Sequence, residues 1–351
     1  MRTWEKNIRK VVPYVPGEQP KKAKMIKLNT NENPYPPTPN AKKVLEEFHT
    51  EHLKLYPDPK IEDLTRCISK TYGVKENQVF TGIGSDDVLA LAFLTFFNSD
   101  DPILFPDITY SFYDVWAELY KIKYKTVALT ENFTIDPLDY RQKNGGIIFP
   151  NPNAPTGVYE SLDTIEEILK ENPDSVVIVD EAYIDFAGPS ALSLVDRYDH
   201  LLVVQTFSKS RSMAGVRIGF AIGNEILISY LNDVKYSFNS YTLNELTIRL
   251  GIAALEDKNY FEKRVKQLIH TREWTKSRLK ELSFSFPDSQ GNFIFASHPS
   301  KHAKEIVQEL KERNIYVRYF DKPRINNYLR ITVGTEEEME EFIDHLKDIL
   351  K

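Results

Sequence analysis

The sequence predicts an α/β protein: a large domain with a mainly parallel sheet lying between helices, followed by a smaller α/β domain. Three observations carry this. Short apolar, β-branched runs alternate with helical-period stretches through the first two thirds of the 351 residues, the pattern of right-handed βαβ units. Each run exits into a turn rich in Gly, Pro, Asn or hydroxyl residues, and α/β sheets place ligand chemistry at those carboxyl ends. From residue 243 the pattern changes to two long amphipathic helices and then a second, shorter alternation. A hydrophobic content of 41% with 12% aromatic residues is ample for both cores.

In chain order, residues 1–40 are dense in Pro, Lys and Asn and read as an irregular arm, within which 26–34 (IKLNTNENP) is a short strand ending in a polar turn. Residues 41–49 read as a helix and 54–59 (KLYPDP) as an extended, proline-fixed segment exposing the hydroxyl of Tyr56. A helix follows at 60–72. Residues 78–87 (QVFTGIGSDD) and the apolar run 88–97 read as strand, glycine turn and helix. Backbone amides at Gly84, Ser85 and Asp86 are then free to cradle an anion at the helix N-terminus. Residues 102–105 form a strand and 111–120 a helix, with Tyr110 at the junction, where a flat ring can stack on a flat ligand. The strand 146–149 leaves through PNPNAPTG, a stiff loop whose amides, Asn153 among them, can orient a ligand. Strand 176–179 (VVIV) delivers Asp180 and, three residues on, Tyr183.

The richest stretch is 201–220, LLVVQTFSKSRSMAGVRIGF. A buried strand runs into Thr206, Ser208 and Lys209, and Arg217 follows in 215–220, read as another short strand. An amine, two hydroxyls and a guanidinium in one locality suit a phosphorylated aldehyde: the amine condenses with the carbonyl while the fork and the hydroxyls hold phosphate. Downstream, 243–255 and 260–282 read as helices, 292–296, 316–319 and 328–332 as strands, and 301–313 and 336–351 as helices. Arg318 and Arg330 stand inside apolar strands of this small domain and mark an anion site. The expected organisation is an arm to residue 40, a large domain over 41–255 and a small one over 256–351.

The net charge of -6 comes without a basic stripe, which argues against a nucleic-acid partner. Cys67 is the only cysteine, excluding an intramolecular disulfide and a thiolate metal cluster and fitting a reducing, cytoplasmic setting. The N-terminus lacks an apolar signal segment, and the run 88–97 is too short to span a bilayer. The histidines lack metal-ligand spacing, and no repeat is evident.

The ordered set Gly84-Ser85-Asp86, Tyr110, Asn153 to Gly157, Asp180 with Tyr183, Ser208-Lys209 and Arg217 resembles the fold-type I pyridoxal-phosphate enzymes, whose sheet is of the seven-stranded type. LNTNENP at 28–34, LYPDP at 55–59 and LRITVGT at 329–335 are similar to the histidinol-phosphate aminotransferase family. The resemblance implies pyridoxal 5'-phosphate, with Lys209 as the Schiff-base lysine and proton carrier. It implies a cofactor phosphate held by Ser85, Asp86, Thr206, Ser208 and Arg217. Tyr110 would stack on the ring, Asp180 would pair with its nitrogen, and Tyr183 would contact its phenolic oxygen. Asn153 is the candidate to help there, because Ala154 stands where the family usually has Asn. Tyr56 would reach the phosphate of a neighbouring subunit's site, implying a homodimer with shared sites. Tyr14, Asn33, Arg318 and Arg330 would bind substrate, a phosphorylated amine or ketone and glutamate. A threonine-phosphate decarboxylase or a broader aromatic or aspartate aminotransferase is the alternative of the same fold.

Overall fold

The computed structural model describes residues 2–21 and 24–351, and among these the strands form two sheets. The first strand, β1 (Ile26–Leu28), leads through α1 (Pro39–Glu47) and α2 (Glu62–Tyr72) to β2 (Val79–Gly82) and α3 (Ser85–Phe96). There follow β3 (Ile103–Pro106), α4 (Tyr113–Tyr120), β4 (Tyr124–Val127), β5 (Ile147–Pro150), α5 (Leu162–Glu171), β6 (Val177–Asp180) and β7 (Leu201–Thr206). The chain then turns through β8 (Gly219–Gly223) into α6 (Glu225–Phe238), α7 (Glu245–Glu256) and the 24-residue α8 (Lys258–Glu281).

The large sheet has seven strands in the order β2-β8-β7-β6-β5-β3-β4. It is parallel except for β8, which runs antiparallel to both neighbours. Its central strands are buried on both faces, which is why they read as continuous apolar runs. Phe149, Val179 and Val203 pack into one core, while Ile148, Ile178, Leu202 and Val204 pack into the other. The edge strand β4 buries only Val127; with no apolar run to mark it, it escapes the sequence reading, as does α6. Arg217 lies outside any strand, contrary to expectation. Its φ of +62° is left-handed, a conformation a strand cannot contain, so β8 starts only at Gly219.

The second sheet joins β9 (Phe293–Ala296), β10 (Ile315–Tyr319) and β11 (Leu329–Thr332), with α9 (Ala303–Glu312) and α10 (Glu336–Leu350) packed on it. Its order is β1-β10-β11-β9. The short strand of the N-terminal segment is thus an edge of the C-terminal sheet, paired parallel to β10 from Ile26 opposite Ile315 to Leu28 opposite Val317. α10 is opened by a reciprocal cap: Thr335 N donates to Glu338 Oε2 at 2.8 Å and Glu338 N to Thr335 Oγ1 at 3.2 Å. Among the described residues no helix is long and apolar enough to cross a membrane.

Candidate active site

Lys209 leaves the carboxyl end of β7 in a turn fixed by hydroxyls. Ser208 N donates to Thr206 Oγ1 at 3.2 Å, and the two hydroxyl oxygens lie 3.0 Å apart. Lys209 Nζ donates to the carbonyl of Thr30 at 3.2 Å and sits 5.7 Å from the ring centroid of Tyr183. Asn33, expected at the substrate, is committed elsewhere: its Nδ2 donates to the carbonyls of Lys209 (3.0 Å) and Ser210 (3.3 Å), and its Oδ1 accepts from Tyr35 N. It is absent from the residues lining the cleft.

Beside this turn the glycines make an anion cradle. Gly84, at φ +81°, is the N-cap of α3, whose first N–H groups have no partner within the helix. A Cβ at Gly84 would stand 2.5 Å from Arg217 Nη2, and one at Gly219 would stand 2.2 Å from Gly84 C and 2.3 Å from Ser85 N. Both positions must lack side chains for the guanidinium and the helix start to converge. Asp86 bridges this corner to Tyr110: Arg217 Nη2 lies 3.2 Å from its Oδ2, and Tyr110 donates to its Oδ1 at 2.8 Å.

Asp180 ends β6 fully enclosed. Tyr113 donates to its Oδ2 at 3.0 Å and Ala182 N to its Oδ1 at 3.3 Å. Burial pushes its carboxyl up to about 7, only partly opposed by the Tyr113 hydrogen bond. No lysine or arginine among the described residues lies within salt-bridge reach of it. A cationic ring nitrogen would supply the missing countercharge. Tyr183 accepts from Asn31 Nδ2 at 2.9 Å. Two buried oxygens, Thr109 Oγ1 in the cleft wall and Asn153 Oδ1 next to the lining Ala154, have no hydrogen-bond partner among the described residues; Asn153 Nδ2 is spent on Ile108 O and Thr156 Oγ1. An amine, an anion cradle, a flat phenol and an uncompensated carboxylate fit a phosphorylated pyridine aldehyde.

Opposite Lys209 lies the small sheet. Arg318 and Arg330 are directly paired across β10 and β11, so their side chains share one face. Arg318 reaches the carbonyls of Val15 and Pro16 at 3.4 and 3.5 Å, and Arg330 Nη2 donates to Asn29 O at 3.0 Å. Arg330 Nε is buried without a partner, and neither guanidinium has a carboxylate within 4.0 Å among the described residues. Burial, with the Arg318 guanidinium beside it, lowers the affinity of Arg330 for its proton. Both rest on the ring of Phe320, at 5.7 and 5.6 Å. Lys209, Tyr183, Tyr110, Tyr14, Arg318 and Arg330 together line one cleft of about 230 Å³. It shares Tyr14, Arg318 and Phe320 with an outer cleft of about 660 Å³. Tyr14 stacks on Phe112 at 4.0 Å.

Tyr56 is not brought to this cleft by its own chain. It is 82% exposed, with its ring 4.6 Å from that of Tyr241. Three contributors escaped the sequence reading: Tyr113 under Asp180, the Thr30 carbonyl at Lys209, and Phe320 beneath the arginines. For Tyr113 a signal existed in its place three residues after Tyr110: its N–H donates to the Tyr110 carbonyl at 3.2 Å, and the two rings meet edge-on at 5.8 Å.

Residues 23–346 match the aminotransferase class I and II family. The histidinol-phosphate aminotransferase of Brachyspira hyodysenteriae is 53% identical over 342 residues, covering 97% of both chains. Histidinol-phosphate aminotransferase 1 of Hydrogenovibrio crunogenus is 54% identical over 348 residues, covering 99% of this chain and 98% of that one. Among solved structures, the histidinol-phosphate aminotransferase of Clostridium acetobutylicum superposes with a TM-score of 0.86 at 22% identity, covering 93% of this chain and 99% of that one. That of Sinorhizobium meliloti in complex with pyridoxal-5'-phosphate gives 0.84 at 19%, covering 93% and 90%. With the seven-stranded sheet, the lysine at its rim and these matches over almost the whole length, the chain belongs to the aminotransferase class I and II family, whose members are pyridoxal-phosphate-dependent enzymes.

Proposed function

We propose that this aminotransferase moves an amino group from L-glutamate to imidazole acetol phosphate, giving 2-oxoglutarate and L-histidinol phosphate, in L-histidine biosynthesis. The observation that carries the reading is the pair Arg318 and Arg330, register partners on one face, both without a carboxylate within 4.0 Å among the described residues and both lining the cleft of Lys209. Two guanidinium forks suit a phosphate dianion and equally a carboxylate, so one pocket serves both substrates in turn. The likeness to histidinol-phosphate aminotransferases at 53% and 54% identity supports the same choice.

Pyridoxal phosphate, when bound, supplies an electron sink that stabilises negative charge developing at the substrate Cα. The remaining work falls to side chains. The backbone amides at Ser85 and Asp86, with Thr206, Ser208 and Arg217, would hold the cofactor phosphate, and Tyr110 would stack on the ring. Asp180 would pair with the ring nitrogen and keep it protonated, and Tyr183, with Asn153 as a candidate helper, would contact its phenolic oxygen. Lys209 Nζ removes the proton from the substrate Cα, and the Thr30 carbonyl keeps that amine within the cleft. Arg318, Arg330 and Tyr14 orient the substrate by its anionic group, so that the Cα–H bond faces the lysine. Asn33 acts on substrate only indirectly, through the backbone of Lys209.

Tyr56, exposed beside Tyr241, supports a homodimer in which it completes the phosphate site of the partner subunit. The single cysteine supports a cytoplasmic setting. The two sheets support the division near residue 255, with Ile26–Leu28 of the arm belonging structurally to the small unit. The test is the absorption spectrum of the holoenzyme. L-histidinol phosphate should convert the visible cofactor band within one turnover, O-phospho-L-threonine should release no carbon dioxide, and L-aspartate should react far more slowly. Carbon dioxide release, or no response to L-histidinol phosphate, would overturn the reading.

A further inference from the structure

We propose that Arg324 is a positioning residue for substrate binding: by clamping the β10–β11 loop to the rim of the large sheet, it holds the arginine pair at working distance from Lys209. The inference rests on the reading that Arg318 and Arg330 take the substrate's anionic group. Arg324 sits in the connection between their two strands, at φ +67°, and both terminal nitrogens of its fork are engaged. Nη1 meets Asp107 Oδ2 at 2.7 Å; Nη2 donates to the carbonyls of Leu129 at 2.7 Å and Thr130 at 2.9 Å. Asp107 is itself fixed, since its Oδ1 accepts from Leu129 N at 2.9 Å. It follows directly on β3, two residues before Thr109 and three before Tyr110, both of which line the inner cleft.

The same loop carries Phe320, on which both substrate arginines rest. Its far side is pinned by Ile325, 3% exposed in the core of the large domain, and by Tyr328, stacked on Phe295 at 4.6 Å and edge-on to Phe133 at 5.5 Å. Phe133 belongs to the turn whose carbonyl at Thr130 Arg324 binds. The ionic clamp and the apolar pin thus grip one turn of the large domain from both sides. Between them they set where Phe320 lies, and so where the guanidinium forks point. The pair is partly exposed, with 38% and 27% of the two side chains accessible, and such pairs add little to global stability. Its loss should therefore be felt in geometry rather than in folding.

The test uses holoenzyme carrying Arg324→Gln, Arg324→Lys or Asp107→Asn, and the double variant D107N/R324Q. Arg324→Gln should raise KM for L-glutamate by about tenfold while kcat, the cofactor dissociation constant and Tm stay near wild type. Arg324→Lys should recover part of the loss, and the double variant should be no worse than Arg324→Gln alone, the signature of one shared interaction. An unchanged KM in Arg324→Gln would overturn the proposal. So would a KM rise matched by equal losses of cofactor affinity and Tm, which would mark a generally loosened fold. A wild-type enzyme that turns over glutamate but not L-histidinol phosphate would sink the substrate assignment alone, because the clamp is read on glutamate.

Discussion

The two ends of the cleft treat charge in opposite ways. At the large-sheet end the cation is already balanced inside the protein: Arg217 pairs with Asp86, which also takes the Tyr110 hydroxyl. At the small-sheet end Arg318 and Arg330 face each other across a hairpin with backbone carbonyls for company and, among the described residues, no carboxylate. A corner that keeps one guest throughout catalysis can be built rigid and internally paired. A pocket that must accept a carboxylate, release it and accept a phosphate is better left short of negative charge, so that each incoming anion finds open forks. Asp180 is the exception at the first end, a buried carboxylate with no cation within salt-bridge reach among the described residues, which suits a resident guest that brings a charge of its own.

Four substitutions bear on this contrast. Lys209→Ala removes the amine that both ends serve; turnover should fall by roughly 10⁴-fold in single-turnover measurements, while cofactor phosphate is still retained through the cradle. Arg330→Lys keeps the charge but loses the fork, and should lower kcat/KM for both substrates by about 10²-fold with cofactor affinity unchanged. Were only one substrate affected, the shared-pocket reading would fail. Arg217→Lys should weaken cofactor binding about tenfold in spectroscopic titration, yet leave KM for glutamate unaltered at saturating cofactor. If KM moved as well, the two ends would not be separable.

The smallest effect concerns pH. The folded pKa of Asp180 is raised to about 7, so the stability tied to its protonated form is fully present below its unfolded value. That stability is lost as pH rises through about 7. In the cofactor-free protein, Tm should therefore decline between pH 5 and 8, and Asp180→Asn should remove about 2–4 °C of that decline in calorimetry. Part of the slope should persist, because Glu181, also raised to about 7 by burial despite bonds from Ser190, Ala191 and Gln205, titrates in the same window. An unchanged slope in Asp180→Asn would show that Asp180 already has its countercharge without the cofactor.

Much of this contrast is legible in the sequence. Lys209, Asp180 and Ser85 announce themselves because each follows a run buried on both faces, and such runs have no polar residues to confuse the reading. Arg318 and Arg330 stand out because a guanidinium inside an apolar strand is costly unless it has a task. What stays hidden depends on distance along the chain. Nothing near Asp107 points to Arg324, which lies 217 residues away. Tyr113 is one of 19 tyrosines until the helix start turns it under Asp180. Arg217 reads as a strand residue because its neighbours are apolar, whereas the turn needed to lay its fork on Gly84 demands a left-handed backbone. Asn33 looks like a ligand residue in NTNENP, and in the structure its side chain bonds the carbonyls of the lysine turn.

The pairing of β1 with β10 has a consequence for how the molecule is made. Asn31 N donates to Thr332 Oγ1 at 3.0 Å, Thr332 in turn donates to Asn31 Oδ1, and these residues are 301 apart in the chain. The same Asn31 then reaches Tyr183. During synthesis the parallel strands of the large sheet can close among themselves. Ile26–Leu28, by contrast, must wait unpaired until residues 315–332 have left the ribosome. For most of its synthesis the nascent chain therefore carries one strand edge open to mispairing. The cleft gains its final wall only when segments 301 residues apart meet.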